Sequence, residues 1–123
     1  MTLSGKQMTA LVKLMKLIMS ADGVIEESKI KYLALELNRF NVPASHLEGI
    51  LKLSDEMEFS EAIAIISGLD STHKNYVTAA LGAMIAADGD VDDSEIKIWS
   101  LISALCDLPT MNVRQAAAMV MTL

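Results

Sequence analysis

The sequence predicts an all-α domain of seven helices. Three observations lead there. Apolar residues recur at three- and four-residue steps through most of the chain, and no segment shows the period-two alternation of a strand. Helix start and stop signals punctuate these runs. One phrase occurs twice: residues 20–33 read SADGVIEESKIKYL and residues 86–99 read AADGDVDDSEIKIW, with a constant offset of 66.

The elements follow in order. Ser4 and Gln7 have capping-box spacing, and Met8, Leu11, Val12, Met15, Ile18 and Met19 recur at helical intervals, so a first helix is expected over 5–20. Gly23 stops it. A second helix over 26–40 carries Ile30, Leu33, Leu37 and Phe40 on one face. Pro43 suits the first turn of a third, whose stripe is Leu47, Ile50, Leu51 and Leu53. A fourth covers 59–67, with Gly68 as a left-handed end and Leu69 as its Schellman contact. Asp70 or Ser71 caps a fifth over 71–87, whose five alanines and Gly82 let neighbours come close. A sixth over 93–106 is apolar on most sides, which predicts a central place. Pro109 and Asn112 introduce a seventh carrying Val113, Ala116, Ala117 and Val120.

Helices one to three thus correspond to helices five to seven. Met15 matches Leu81, Leu35 matches Leu101 and Pro43 matches Pro109. The expected architecture is one domain over 1–123 with an internal pseudo-two-fold. Its halves span about 5–53 and 71–119, and a connector helix spans about 59–68.

Composition narrows the function. A chain of 123 residues, 52% hydrophobic, can bury a full core without staples. Its net charge of −6 argues against nucleic acid and against anionic membrane surfaces. Cys106 is the sole cysteine, so no intramolecular disulfide forms, and its apolar setting predicts a buried, inert thiol. Lys13 and Lys16 break the first apolar stretch, unlike a leader peptide, and the runs 77–87 and 116–123 are too short to span a bilayer. The expectation is a cytoplasmic protein without direct membrane insertion.

Asp22, Glu26, Glu27, Asp88, Asp90, Asp92, Asp93 and Glu95 are eight of sixteen acids, gathered into two short windows. Two accounts are open. In the first they are a folding device: glycine reverses the chain, Ile25 or Val91 enters the core, and Asp92 with Glu95 forms a capping box. In the second they hold a divalent cation such as calcium or magnesium, the candidate ligands being Asp22, Glu26, Asp88, Asp90, Asp92 and Glu95. The second copy matches half of an EF-hand loop, with Asp88 at position 5, Gly89 at 6, Asp92 at 9 and Glu95 at 12. Positions 1 and 3 fall on Met84 and Ala86, so a complete EF-hand is excluded. In the first copy Lys29 falls at position 12. Affinity for calcium is therefore expected to be weak, with a dissociation constant on the order of 10⁻⁴–10⁻³ M.

The duplicated phrase, Ala21-Asp22-Gly23-Val24-Ile25-Glu26-Glu27-Ser28 and Ala87-Asp88-Gly89-Asp90-Val91-Asp92-Asp93-Ser94-Glu95, resembles that of the TerB-like family. The family includes the bacterial tellurite-resistance protein TerB and the N-terminal domain of DjlA-type co-chaperones. The resemblance implies a compact seven-helix fold, acids proposed to bind metal, and association with stress-response machinery at the membrane. It departs from the family at Lys29, where an acid is favoured, and the J-domain signature is missing.

No catalytic motif accompanies these residues. His46 and His73 lack neighbours at zinc spacing and read as surface or capping residues. The nine methionines read as core filling. The sequence thus points to a non-enzymatic interaction or stress-response module with a protein partner, and alternatively to a calcium or magnesium sensor or buffer.

Overall fold

The computed structural model describes residues 2–21, 23–87 and 89–122. Among them are seven α-helices and no strand: α1 (Gly5–Met19), α2 (Glu27–Arg39), α3 (Leu47–Glu56), α4 (Phe59–Ser67), α5 (Ser71–Ile85), α6 (Asp93–Cys106) and α7 (Val113–Thr122). A 3-10 turn over Ala44–His46 leads into α3.

Local chemistry sets the helix starts. The Gln7 amide donates to Ser4 Oγ at 3.1 Å while the Ser4 amide donates to Gln7 Oε1 at 2.9 Å, closing the capping box of α1. Asn112 and Gln115 make the same reciprocal pair before α7, at 2.9 and 2.8 Å. Asp70 caps α5 by accepting the His73 amide at 2.8 Å.

Four residues adopt left-handed dihedrals among the described ones: Gly23 (φ 84), Gly89 (φ 80), Asn41 (φ 64) and Asp107 (φ 54). Their numbers form two pairs separated by the sequence offset. Gly68 does not join them. Its φ is −84, so the left-handed end expected for α4 is corrected to a right-handed one, with the Gly68 amide on the Ala64 carbonyl and the Leu69 amide on the Ile66 carbonyl. Leu69 is buried from there, and Asp70 begins the next cap at once.

α5 is the centre of the molecule. Its residues from Tyr76 to Ile85 are buried without a break, and it packs on α7, α1, α6 and α2. α1 packs in turn on α4, α3, α5 and α6. The central place expected for α6 is thus corrected, since Leu101 and Leu105 on its outer face are about half exposed. Small residues decide this. A Cβ at Gly82 would lie 2.5 Å from Ala116 Cβ and 2.6 Å from the Trp99 ring, so α6 and α7 both close on that glycine.

Three further expectations are corrected. Ile25 and Val91 are 50% and 45% exposed rather than in the core. The inward positions after the glycine turns fall on Lys29 and Glu95 instead. The buried stripe of α2 is Lys29, Leu33, Glu36 and Leu37, turned so that Ile30 faces out. On α3 Leu53 is exposed, and only Ser54 is fully buried. Five methionines are core residues, whereas Met121 is exposed.

Two substitutions test this packing by denaturant unfolding. Gly89→Ala is expected to cost about 1 kcal/mol, because a Cβ is disfavoured at positive φ even in open space. Gly82→Ala is expected to cost about 1–3 kcal/mol by overpacking. An unchanged midpoint for either refutes that account.

A pH effect follows from the α5 cap. His73 Nδ1 lies 2.7 Å from Asp70 Oδ1, and Nε2 lies 2.7 Å from the Thr2 carbonyl. The Asp70 bond, then the Thr2 bond, raise the His73 pKa above its ordinary value. Stability from this contact is full below about 6.5 and is lost as pH rises through the raised value. His73→Gln is expected to flatten that part of the melting-versus-pH curve, and identical curves for both proteins would refute the linkage.

Candidate functional site

The six acids expected to hold a cation divide sharply. Asp22 and Asp88 lie outside the described residues. Asp90 is exposed, and Glu26 is half-buried just ahead of α2. Asp92 is the N-cap of α6: it accepts the Ser94 amide at 2.8 Å and also the Ser94 hydroxyl. These Ser94 bonds, hydroxyl first, hold the Asp92 carboxyl below its usual range.

Glu95 was expected in a capping box and as a ligand. It is instead fully buried, and Lys29 Nζ lies 2.5 Å from its Oε1. Lys29 is only 2% exposed. The pair joins the first turn of α2 to the first turn of α6, with the two residues 66 apart. Taking two charges from water is costly, and their mutual attraction offsets this only when the geometry is close. The field of Lys29 also reaches Asp92 and helps keep it ionised.

A second buried network went unread in the sequence. Tyr76 on α5 donates its hydroxyl to Glu36 Oε1 at 2.8 Å. Arg39 Nε lies 3.3 Å from the same oxygen, and its guanidinium stands 5.8 Å from the centre of the Tyr76 ring. Phe40 meets that ring edge-on at 5.3 Å. Arg39 also donates to the Val120 carbonyl at 3.2 Å, which ties α2 to α7. Burial, reinforced by the negative charge of Glu36, pushes the Tyr76 pKa far up, so its proton stays on. The available signal was Lys29 and Glu36 at helical spacing from Leu33 and Leu37, which places two charges on an apolar stripe.

An open apolar groove of about 450 Å³ runs between α2, the end of α5 and α7. Tyr32, Leu35, Ala83, Ala117, Val120 and Met121 line it. Leu35 is 63% and Met121 85% exposed. The Tyr32 hydroxyl is buried without a hydrogen-bond partner among the described residues.

A hard cation takes six or more oxygens, yet no three His, Cys, Asp or Glu side chains among the described residues gather to hold one. Glu95 is already engaged by an ammonium. Cys106 is buried, and that burial pushes its thiol up to about 11, where it is unreactive near neutrality. No described helix is long and apolar enough to cross a membrane.

No protein-family model matches the chain, and no curated protein matches it. A solved structure does. The crystal structure of PG1108, a protein of unknown function from Porphyromonas gingivalis, is 41% identical, covers 100% of this chain and 99% of its own, and has a TM-score of 0.88. This chain belongs to the same family as PG1108. The likeness to PG1108 spans the whole fold, from the capped start of α1 to α7.

The energetic role of the buried pair is testable by a double-mutant cycle. Lys29→Met and Glu95→Met are each expected to cost about 3–5 kcal/mol, because each leaves the other charge buried without the counter-charge 2.5 Å away. Replacing both residues with methionine is expected to recover most of that loss. Additive losses in the double variant would show that the two charges do not compensate one another.

Proposed function

We propose that this chain is a non-enzymatic, TerB-like protein-interaction module of a bacterial stress response related to tellurite resistance. The observation that carries the reading is the apolar groove between α2, α5 and α7, with Leu35 and Met121 held out to solvent. Contiguous exposed apolar surface marks interaction sites more than it serves a fold. The charged side chains near the core support it too: Lys29, Glu95, Glu36 and Arg39 all engage one another or Tyr76, as structural groups do. The partner is a protein, and the TerB resemblance suggests stress machinery associated with the membrane. The cation-sensor alternative has less support, because Glu95 is paired with Lys29.

The same proposal includes an internal repeat, halves 5–53 and 71–119 joined by α4. Its support is the pairing of left-handed residues, Gly23 with Gly89 and Asn41 with Asp107, at the offset of the duplicated phrase. The packing of α1 on α3 and of α5 on α7 supports it as well.

The test is a Leu35→Glu, Met121→Glu double variant. Both sites are exposed, so stability should hold within about 0.5 kcal/mol per site. In a cell lacking the native gene, the wild type should restore tellurite tolerance and retain a cross-linked protein partner, and the variant should do neither. Full tolerance with the same partner retained rejects the groove as the interaction surface.

A further inference from the structure

We infer that the groove between α2, α5 and α7 receives an aromatic side chain from the first turn of an acidic partner helix, in the way that α4 of this chain presents Phe59 to the corresponding cleft of the other half.

The inference rests on the groove as an interaction surface and on the proposed repeat. It starts from what covers the first half. α4 lies against α1 and α6. Its first residue, Phe59, joins Leu17, Ile98, Leu101 and Ile102 around an apolar cleft of about 210 Å³. At the offset of 66, Leu17 corresponds to Ala83, Ile98 to Tyr32 and Leu101 to Leu35. All three counterparts line the larger groove. The two hollows are therefore built from the same places in the two copies, one from α1 with α6 and the other from α5 with α2.

One difference separates them. The cleft over α1 and α6 is walled by α4. Among the described residues no helix holds the corresponding place over α5 and α2, and α7 forms the remaining wall through Ala117, Val120 and Met121. Ala83 is also smaller than Leu17. The hollow is about 450 Å³ against about 210 Å³, with room for a side chain that the described residues do not supply.

Charge selects the kind of helix that fits. Among the described residues that line the groove, Lys31 alone is charged. Its side chain is exposed, and its contact with Glu27 at 3.5 Å is a surface ion pair that contributes little. The ammonium can therefore meet an incoming acid. α4 carries such acids at its start: Glu58 precedes Phe59, and Glu61 meets Lys6 of α1 at 3.7 Å. Acids there also suit the helix dipole. A second copy of this chain does not offer the anchor, because its Phe59 already lines its own cleft.

The probe is a synthetic peptide of residues 56–68, which holds Phe59 and its acids, titrated into the isotope-labelled full chain and followed by NMR. Saturable shifts are expected at Tyr32, Leu35, Ala83 and Val120. A Phe59→Ala peptide is expected to cause none. The Leu35→Glu protein, changed at an exposed site that leaves the fold intact, is expected to ignore the original peptide. Lys31→Glu is expected to weaken binding about fivefold, and a peptide carrying Glu58→Lys and Glu61→Lys is expected to restore it. Absence of saturable shifts, shifts centred on Leu17 and Leu101, or binding indifferent to Phe59, Leu35 or the charge of Lys31 each overturns the inference. Concentration-dependent shifts at this face without peptide overturn it as well, in favour of a second copy as occupant. If the Leu35→Glu, Met121→Glu variant loses its cellular partner while the wild type ignores the peptide, the occupant is rejected and the interaction surface stands.

Discussion

A helix buried on every side must be narrow, and that constraint organises the molecule. The stretch of α5 from Tyr76 to Ile85 has no wet face. Alanines and Gly82 let α6 and α7 approach its axis, with Trp99 and Ala116 closing on the glycine. The polar groups that α5 carries inward then need partners. Tyr76 finds Glu36, and Thr78 accepts the Trp99 indole N–H at 3.2 Å. The surrounding helices are placed by these contacts as well as by their apolar stripes.

The same logic governs the two charged networks. Both use α2, whose buried stripe carries Lys29 and Glu36 alongside Leu33 and Leu37. Lys29 reaches α6, while Glu36 and Arg39 reach α5 and α7. One helix is thereby fixed in rotation by charges at both ends. An apolar stripe alone tolerates a small turn about the helix axis, whereas a 2.5 Å ion pair and a 2.8 Å hydrogen bond do not. The attraction within a buried pair is set against the cost of taking both charges from water, so its net contribution to stability is small compared with the cost of breaking it.

The Cys106 thiol is buried, Glu95 is engaged by Lys29 and Glu36 by Tyr76 and Arg39, and an apolar groove lies open along α2, α5 and α7. Membership of the PG1108 family places the whole fold on a shared scaffold without adding an activity, since that protein's own function is unknown.

The helices themselves were legible in the sequence because their determinants are local. Ser4 with Gln7, Asp70 and Asn112 announced helix starts within one turn, and the expected spans 59–67 and 93–106 coincide with α4 and α6. The left-handed turns at Gly23 and Gly89 were equally local. The acids of the candidate site were visible only as a concentration of charge, and Asp22 and Asp88 stay outside the described residues. Tertiary structure alone decided which helix is central, because crowding at Gly82 depends on Trp99 and Ala116 arriving from elsewhere. It alone turned α2 to bury Lys29 and leave Ile30 outside, and it alone withdrew Ile25 and Val91 from the core. A capping bond is settled by residues two or three apart, whereas the burial of a charge is settled by a partner that the chain brings back from 66 residues away.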